Sequence, residues 1–90
     1  MPKKSRKYVN KINNSRVYDV AIRSPITKAE NLSSNLKNKI FLKREDLQPT
    51  HSFKIRGAYN KISHLVNKDN LNHIVTASAG NHAQGVAYSA

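Results

Sequence analysis

Two kinds of hydrophobic pattern alternate between residues 39 and 90, and that alternation limits what this chain can fold into more than any other feature. Lys39-Ile40-Phe41-Leu42-Lys43 is a short apolar run that reads as a strand. Ile55, Ala58, Tyr59, Ile62, Leu65 and Val66 follow a 3.6-residue period, which predicts a helix with one buried stripe. His73-Ile74-Val75-Thr76-Ala77 reads as a second strand. Ala83, Val86, Ala87 and Ala90 mark a second helix, with side chains small enough to pack closely on a sheet. The order strand, helix, strand, helix predicts an α/β fold built on a parallel pair with a right-handed crossover. In such sheets ligands bind beyond the carboxyl ends of the strands.

Shorter signals precede and link these elements. Residues 1–14 read as a basic flexible arm, and residues 15–90 as part of one domain. Ser15 is placed to cap a short helix carrying Val17, Tyr18, Ala21 and Ile22, which Ser24-Pro25 ends. Thr27 and Glu30 have the spacing of a capping box, with Ala29, Leu32 and Leu36 on one face of a second short helix. Glu45 to His51 is a polar loop broken by Pro49, Ser52 is the expected N-cap of the long helix, and Asn70-Leu71-Asn72 is a turn. Gly57 lies inside that helix at a cost of about 0.5–1 kcal/mol relative to Ala, which close approach of a backbone or ligand would explain.

Ninety residues hold at most one small domain. The helical pattern runs to Ala90 without a cap, so the chain reads as the N-terminal piece of a longer protein. Sixteen Lys and Arg against five Asp and Glu give a net charge of +11. Such a balance suits a nucleic-acid module, but the cations are dispersed from Lys3 to Lys68 and no nucleic-acid motif accompanies them, so no nucleic-acid partner is expected. Without Cys there is no disulfide or thiolate site, which suits a reducing cytoplasm. No apolar run reaches the length of a membrane span, and no apolar region follows the basic N-terminus as a secretory signal requires. The histidines show no metal-ligand spacing, so no metal is expected.

Two polar junctions carry the candidate chemistry. Lys54, preceded by Phe53, stands where the first strand's loop enters the long helix. The positive end of the helix dipole disfavours an ammonium there, and burial would do the same. An amine tuned in this way can condense with an aldehyde cofactor or act as a base. Ser78-Ala79-Gly80-Asn81-His82 opens the next helix, where free amides bind carboxylate or phosphate and Gly80 allows close approach. Taken singly, a lysine is usually solvated, and Ser, Gly and Asn are ordinary helix caps.

Together the two motifs resemble a known family. Glu45, then Thr50-His51-Ser52-Phe53-Lys54-Ile55-Arg56-Gly57-Ala58, is similar to the pyridoxal-phosphate attachment signature of the serine/threonine dehydratases. Thr76-Ala77-Ser78-Ala79-Gly80-Asn81-His82-Ala83-Gln84-Gly85-Val86-Ala87 resembles the asparagine loop of the same family, and Val17–Ala21, Ser24–Thr27 and Leu32-Ser33 match upstream. The resemblance spans roughly residues 17–90 and is strongest to the biosynthetic branch. It implies part of a fold-type-II, pyridoxal 5'-phosphate-dependent catalytic domain. Lys54 would carry the cofactor and move the α-proton, Phe53 would pack near its ring, and Asn81 would bond the ring's 3-hydroxyl. Ser78, Ala79, Gly80, Asn81 and His82 would receive the substrate carboxylate.

The implied reaction is α,β-elimination of L-threonine to 2-oxobutanoate and ammonia in isoleucine biosynthesis, by a cytoplasmic homotetramer. Racemases of this fold carry a second serine immediately before the loop glycine. Ala79 stands there instead, which favours elimination. The family's glycine-rich phosphate loop and any regulatory domain would lie past residue 90, so the chain alone is expected to be inactive. A catabolic threonine/serine dehydratase and a basic nucleic-acid-binding module are the alternatives.

Overall fold

The computed structural model describes residues 2–69 and 71–90. Six elements follow in order: α1 (Lys3–Asn13), β1 (Ile26–Lys28), α2 (Glu30–Asn35), β2 (Phe41–Lys43), α3 (Lys54–Asp69) and α4 (Asn81–Ser89). Short 3₁₀ turns lie at Val17–Asp19 and Glu45–Leu47. The chain combines helices with a small sheet, as expected for an α/β class, but the sheet differs from the one expected. β1 and β2 pair antiparallel, with Ile26 opposite Lys43 and Lys28 opposite Phe41.

The parallel pair does not form among the described residues. Residues 73–77 carry no strand, and Val75 is 95% exposed. A strand needs a neighbour to satisfy its backbone groups, and the only sheet among the described residues is the β1–β2 pair, which residues 73–77 do not join. Ile26-Thr27-Lys28 is too short an apolar signal to announce itself, and it becomes a strand because Phe41–Lys43 lies beside it. With Thr27 in that strand, the capping box fails: Ala29 takes the N-cap position of α2 without a side-chain bond. Ser33 fastens α2 to the sheet instead, its Oγ accepting the Ile40 amide at 3.0 Å.

Other local readings also change. Residues 3–13 form a helix with no buried residue, where a flexible arm was expected. Four Lys and one Arg favour a helix there, and no Gly or Pro interrupts it. Ser15 does not cap the following turn, because its hydroxyl donates back to the Ile12 carbonyl at 2.8 Å. The turn expected at 70–72 begins on Asn70, outside the described residues.

The long helix stands as its period predicts. Ile55, Ala58 and Ile62 are buried, with Ile55 fully enclosed, while Tyr59 and Leu65 are half-buried and Val66 is exposed. Ser52 Oγ accepts the Lys54 amide at 3.3 Å, one of the free first-turn amides, although Phe53 and not Ser52 directly precedes the helix. The main tertiary seam joins α3 to α4. No backbone among the described residues makes the close approach expected at Gly57, since a Cβ there would meet nothing within 4 Å. It occurs at Gly85, where a Cβ would lie 3.2 Å from the Lys54 carbonyl carbon and oxygen.

Candidate active site

The loop that delivers Lys54 is held by a polar cluster rather than an apolar one. Gln48 is buried, and its amide pairs with the backbone of Ile22 in both directions: Oε1 accepts the Ile22 amide and Nε2 donates to the Ile22 carbonyl, each at 2.8 Å. Nε2 also donates to Glu45 Oε2 at 2.9 Å. The same carboxylate oxygen accepts the Ser24 hydroxyl at 2.5 Å, and Glu45 Oε1 accepts Arg56 Nε. Arg56 reaches on to the Tyr18 hydroxyl at 3.3 Å. Lys43 Nζ donates to the Ser24 carbonyl.

These bonds join residues 18–24, the 45–48 turn and the first turn of α3 into one unit. The Arg56 guanidinium, helped by Ser24 and Gln48, holds the Glu45 carboxyl down at about 2, while partial burial opposes the shift. Arg56 is correspondingly pushed further above its ordinary value, chiefly by Glu45. Sequence reasoning quoted Glu45 and Arg56 within a motif but gave them no role, and it passed over Gln48. The available signal was scarcity: an acid inside a motif is informative in a chain with only five acids against sixteen cations.

The turn into α3 uses His51 in the left-handed backbone region, at φ 60, with its amide donating to the Gln48 carbonyl at 2.8 Å. Thr50 is buried beside it, and its Oγ1 has no partner among the described residues. Lys54 is the first residue of α3 and is exposed rather than buried. Its Nζ lies 5.3 Å from the centroid of the exposed Phe53 ring. Among the described residues its amine makes no ion pair or hydrogen bond.

The second loop opens α4. Ser78 Oγ accepts the amides of Gly80 at 3.1 Å and Ala83 at 3.0 Å, so it is the cap of this helix. Its own hydroxyl hydrogen remains available to donate. The first-turn amides of Asn81 and His82 have no acceptor within the helix. Ala79 and Asn81 are exposed, and Gly80 and His82 are half-buried. Asn81 and Gly85 are four residues apart and share one face of α4. Because Gly85 sits against the Lys54 backbone, that face brings Asn81 to the same end of α3 as Lys54. Gly85 thus sets α4 against the start of α3, where Phe53 and Lys54 lie, and the 78–82 loop opens the same helix.

An exposed amine at the start of α3 and the open helix start of α4 are the two features this region offers to a ligand. The chain belongs to the family described as "Pyridoxal-phosphate dependent enzyme", whose profile matches residues 17–90. It is 55% identical over 86 residues to L-threonine dehydratase biosynthetic IlvA of Burkholderia multivorans, covering 96% of this chain and 17% of that protein. It is 51% identical over 83 residues to the mitochondrial threonine dehydratase of Saccharomyces cerevisiae, covering 92% of this chain and 14% of that protein. Among solved structures it is similar to the processed form of threonine deaminase isoform 2 from Solanum lycopersicum. That match has a TM-score of 0.86 and 48% identity, over 99% of this chain and 26% of that one. The chain therefore spans less than a third of the length of each of these relatives.

The residues present fit part of a pyridoxal-phosphate site. An aldehyde needs an amine that is reachable and not committed to a carboxylate, and Lys54 meets both conditions. A ligand beside the 78–82 loop needs open backbone, and a Cβ on Gly80 would meet nothing within 4 Å.

Proposed function

We propose that the whole protein is a pyridoxal-phosphate-dependent threonine ammonia-lyase of the biosynthetic kind, converting L-threonine to 2-oxobutanoate and ammonia. The observation that carries this reading is the unpaired Lys54 amine set beside the Asn81 helix, in a chain about half identical to named threonine dehydratases. Lys54 would hold the cofactor and Asn81 would donate to its ring hydroxyl. The bound cofactor supplies an electron sink that makes the substrate α-proton acidic. Once the substrate amine has displaced it from the cofactor, the freed Lys54 Nζ would be the group that takes that proton. The Ser78 hydroxyl and the Asn81 and His82 amides receive and orient the substrate carboxylate.

Phe53 narrows the space around the amine on one side. Ala79 has no group that can return a proton, so loss of the β-hydroxyl is favoured over inversion. The remaining sheet of the fold-type-II domain, which would give residues 73–77 their neighbours, belongs to the same proposal, as do a homotetrameric assembly and a cytoplasmic location. No described helix is long and apolar enough to cross a membrane.

The test is borohydride reduction of the full-length protein, followed by peptide mass mapping and a turnover assay. The reduced cofactor adduct is expected on Lys54, and Lys54→Ala is expected to lose both adduct and turnover. An adduct that persists in Lys54→Ala would exclude the assignment.

A further inference from the structure

Gly85 is the buried residue of α4, and its backbone is ordinary helix rather than left-handed. Conformational freedom therefore does not explain a glycine here, and helix propensity argues against one. Space does explain it. A Cβ at this position would lie 3.2 Å from the Lys54 carbonyl carbon, 3.2 Å from its oxygen and 3.3 Å from the Ile55 amide nitrogen. All three atoms belong to a single peptide unit, the one that follows Lys54. They are backbone atoms inside the first turn of α3, so they cannot rotate away as a side-chain tip would. Ile55, whose nitrogen is one of the three atoms, is completely buried. The added carbon would have to move one helix against the other by a few tenths of an ångström.

We propose that Gly85 is a positioning residue that sets the spacing between Lys54 and Asn81. This rests on the roles proposed above for those two residues. Asn81 lies one turn before Gly85 on the same face, about 6 Å along the helix. Displacing α4 at Gly85 therefore shifts Asn81 relative to Lys54. The Ser78–His82 loop moves with α4 as a unit, because Ser78 caps that helix. The groups that receive the carboxylate keep their geometry among themselves, while the amine loses its alignment with them.

The experiment uses the full-length protein with Gly85→Ala. Ile62→Val serves as a control that loosens the same buried stripe without adding an atom. Apoprotein is titrated with pyridoxal phosphate, the bound-cofactor absorption band is recorded, and kcat and KM for L-threonine are measured below the thermal transition. Gly85→Ala is expected to raise the cofactor Kd about tenfold, shift the band, and lower kcat roughly 10- to 100-fold with KM changed less than threefold. Ile62→Val is expected to lower Tm and leave the other readings within twofold.

A second variant, Gly85→Ala with Ile55→Val, removes a methyl group from the buried residue that shares the crowded peptide. It is expected to recover at least half of the lost cofactor affinity, and it carries the comparison if Gly85→Ala does not fold. Wild-type affinity and turnover in Gly85→Ala overturn the inference, as does a double variant without recovery. Absence of a borohydride adduct on Lys54 in the unmodified protein removes the site reading itself, and this inference with it.

Discussion

Replacing Glu45 with Gln tests whether the polar cluster, rather than apolar packing, holds the loop that presents Lys54. The folded carboxyl titrates at about 2 against an ordinary 4.5. That difference corresponds to about 3 kcal/mol of preference for the ionised form. The side chains of Glu45 and Arg56 are 19% and 27% exposed, so water screens the pair in part. Gln also keeps an acceptor for Ser24. The expected loss at neutral pH is therefore about 2 kcal/mol of local stability.

The sign follows from the direction of the shift. A carboxyl whose folded value lies below its unfolded one stabilises the fold fully above about 4.5, and that contribution disappears as the pH falls toward 2. The assay is amide hydrogen exchange in the full-length protein, read at Ile22, whose amide donates to Gln48, and at His51, whose amide closes the turn. In Glu45→Gln these amides should exchange about 30-fold faster at pH 7. After correction for intrinsic rates, the loss of protection between pH 4.5 and 2 should vanish in the variant. A change below threefold at pH 7, or an acid limb unchanged by the substitution, would refute the view that this cluster secures the loop.

Two further outcomes follow from the same geometry. Gln48→Ala leaves the amide and carbonyl of Ile22 without their partner and should cost about 2–4 kcal/mol, seen as a lowered thermal midpoint; a midpoint within one degree of the parent would argue that water replaces the side chain. Ser78→Ala removes the cap of α4 and the hydroxyl proposed for the substrate carboxylate. It should cost about 1 kcal/mol in stability and raise KM for L-threonine about tenfold with the Lys54 adduct intact, and an unchanged KM would remove Ser78 from the site.

The elements with a strong local signal were legible in the chain. The 3.6-residue stripe from Ile55 to Val66 became α3, because a helix closes its hydrogen bonds within itself. Strands were less legible. Residues 39–43 and 73–77 look equally strand-like, yet only Phe41–Lys43 pairs, and its partner is the unannounced Ile26–Lys28. Pairing depends on what lies alongside, which a local pattern does not record. Likewise Gly57, the glycine that looked constrained, faces open space, while Gly85 passed as one small residue among several and is the one with a backbone against it.

The candidate site divides in the same way. Position at a strand-to-helix junction made Lys54 and the 78–82 loop candidates, and the family resemblance of the two motifs gave them, with Phe53, their expected roles. Tertiary structure decided the rest. It left Lys54 exposed, engaged Ser78 as a cap, bound Glu45 to Arg56, Ser24 and Gln48, and set α4 against the first peptide of α3 at Gly85. The Glu45–Arg56, Glu45–Ser24 and Gly85–Lys54 contacts join residues 11 to 31 positions apart along the chain, and only the folded backbone brings those atoms together.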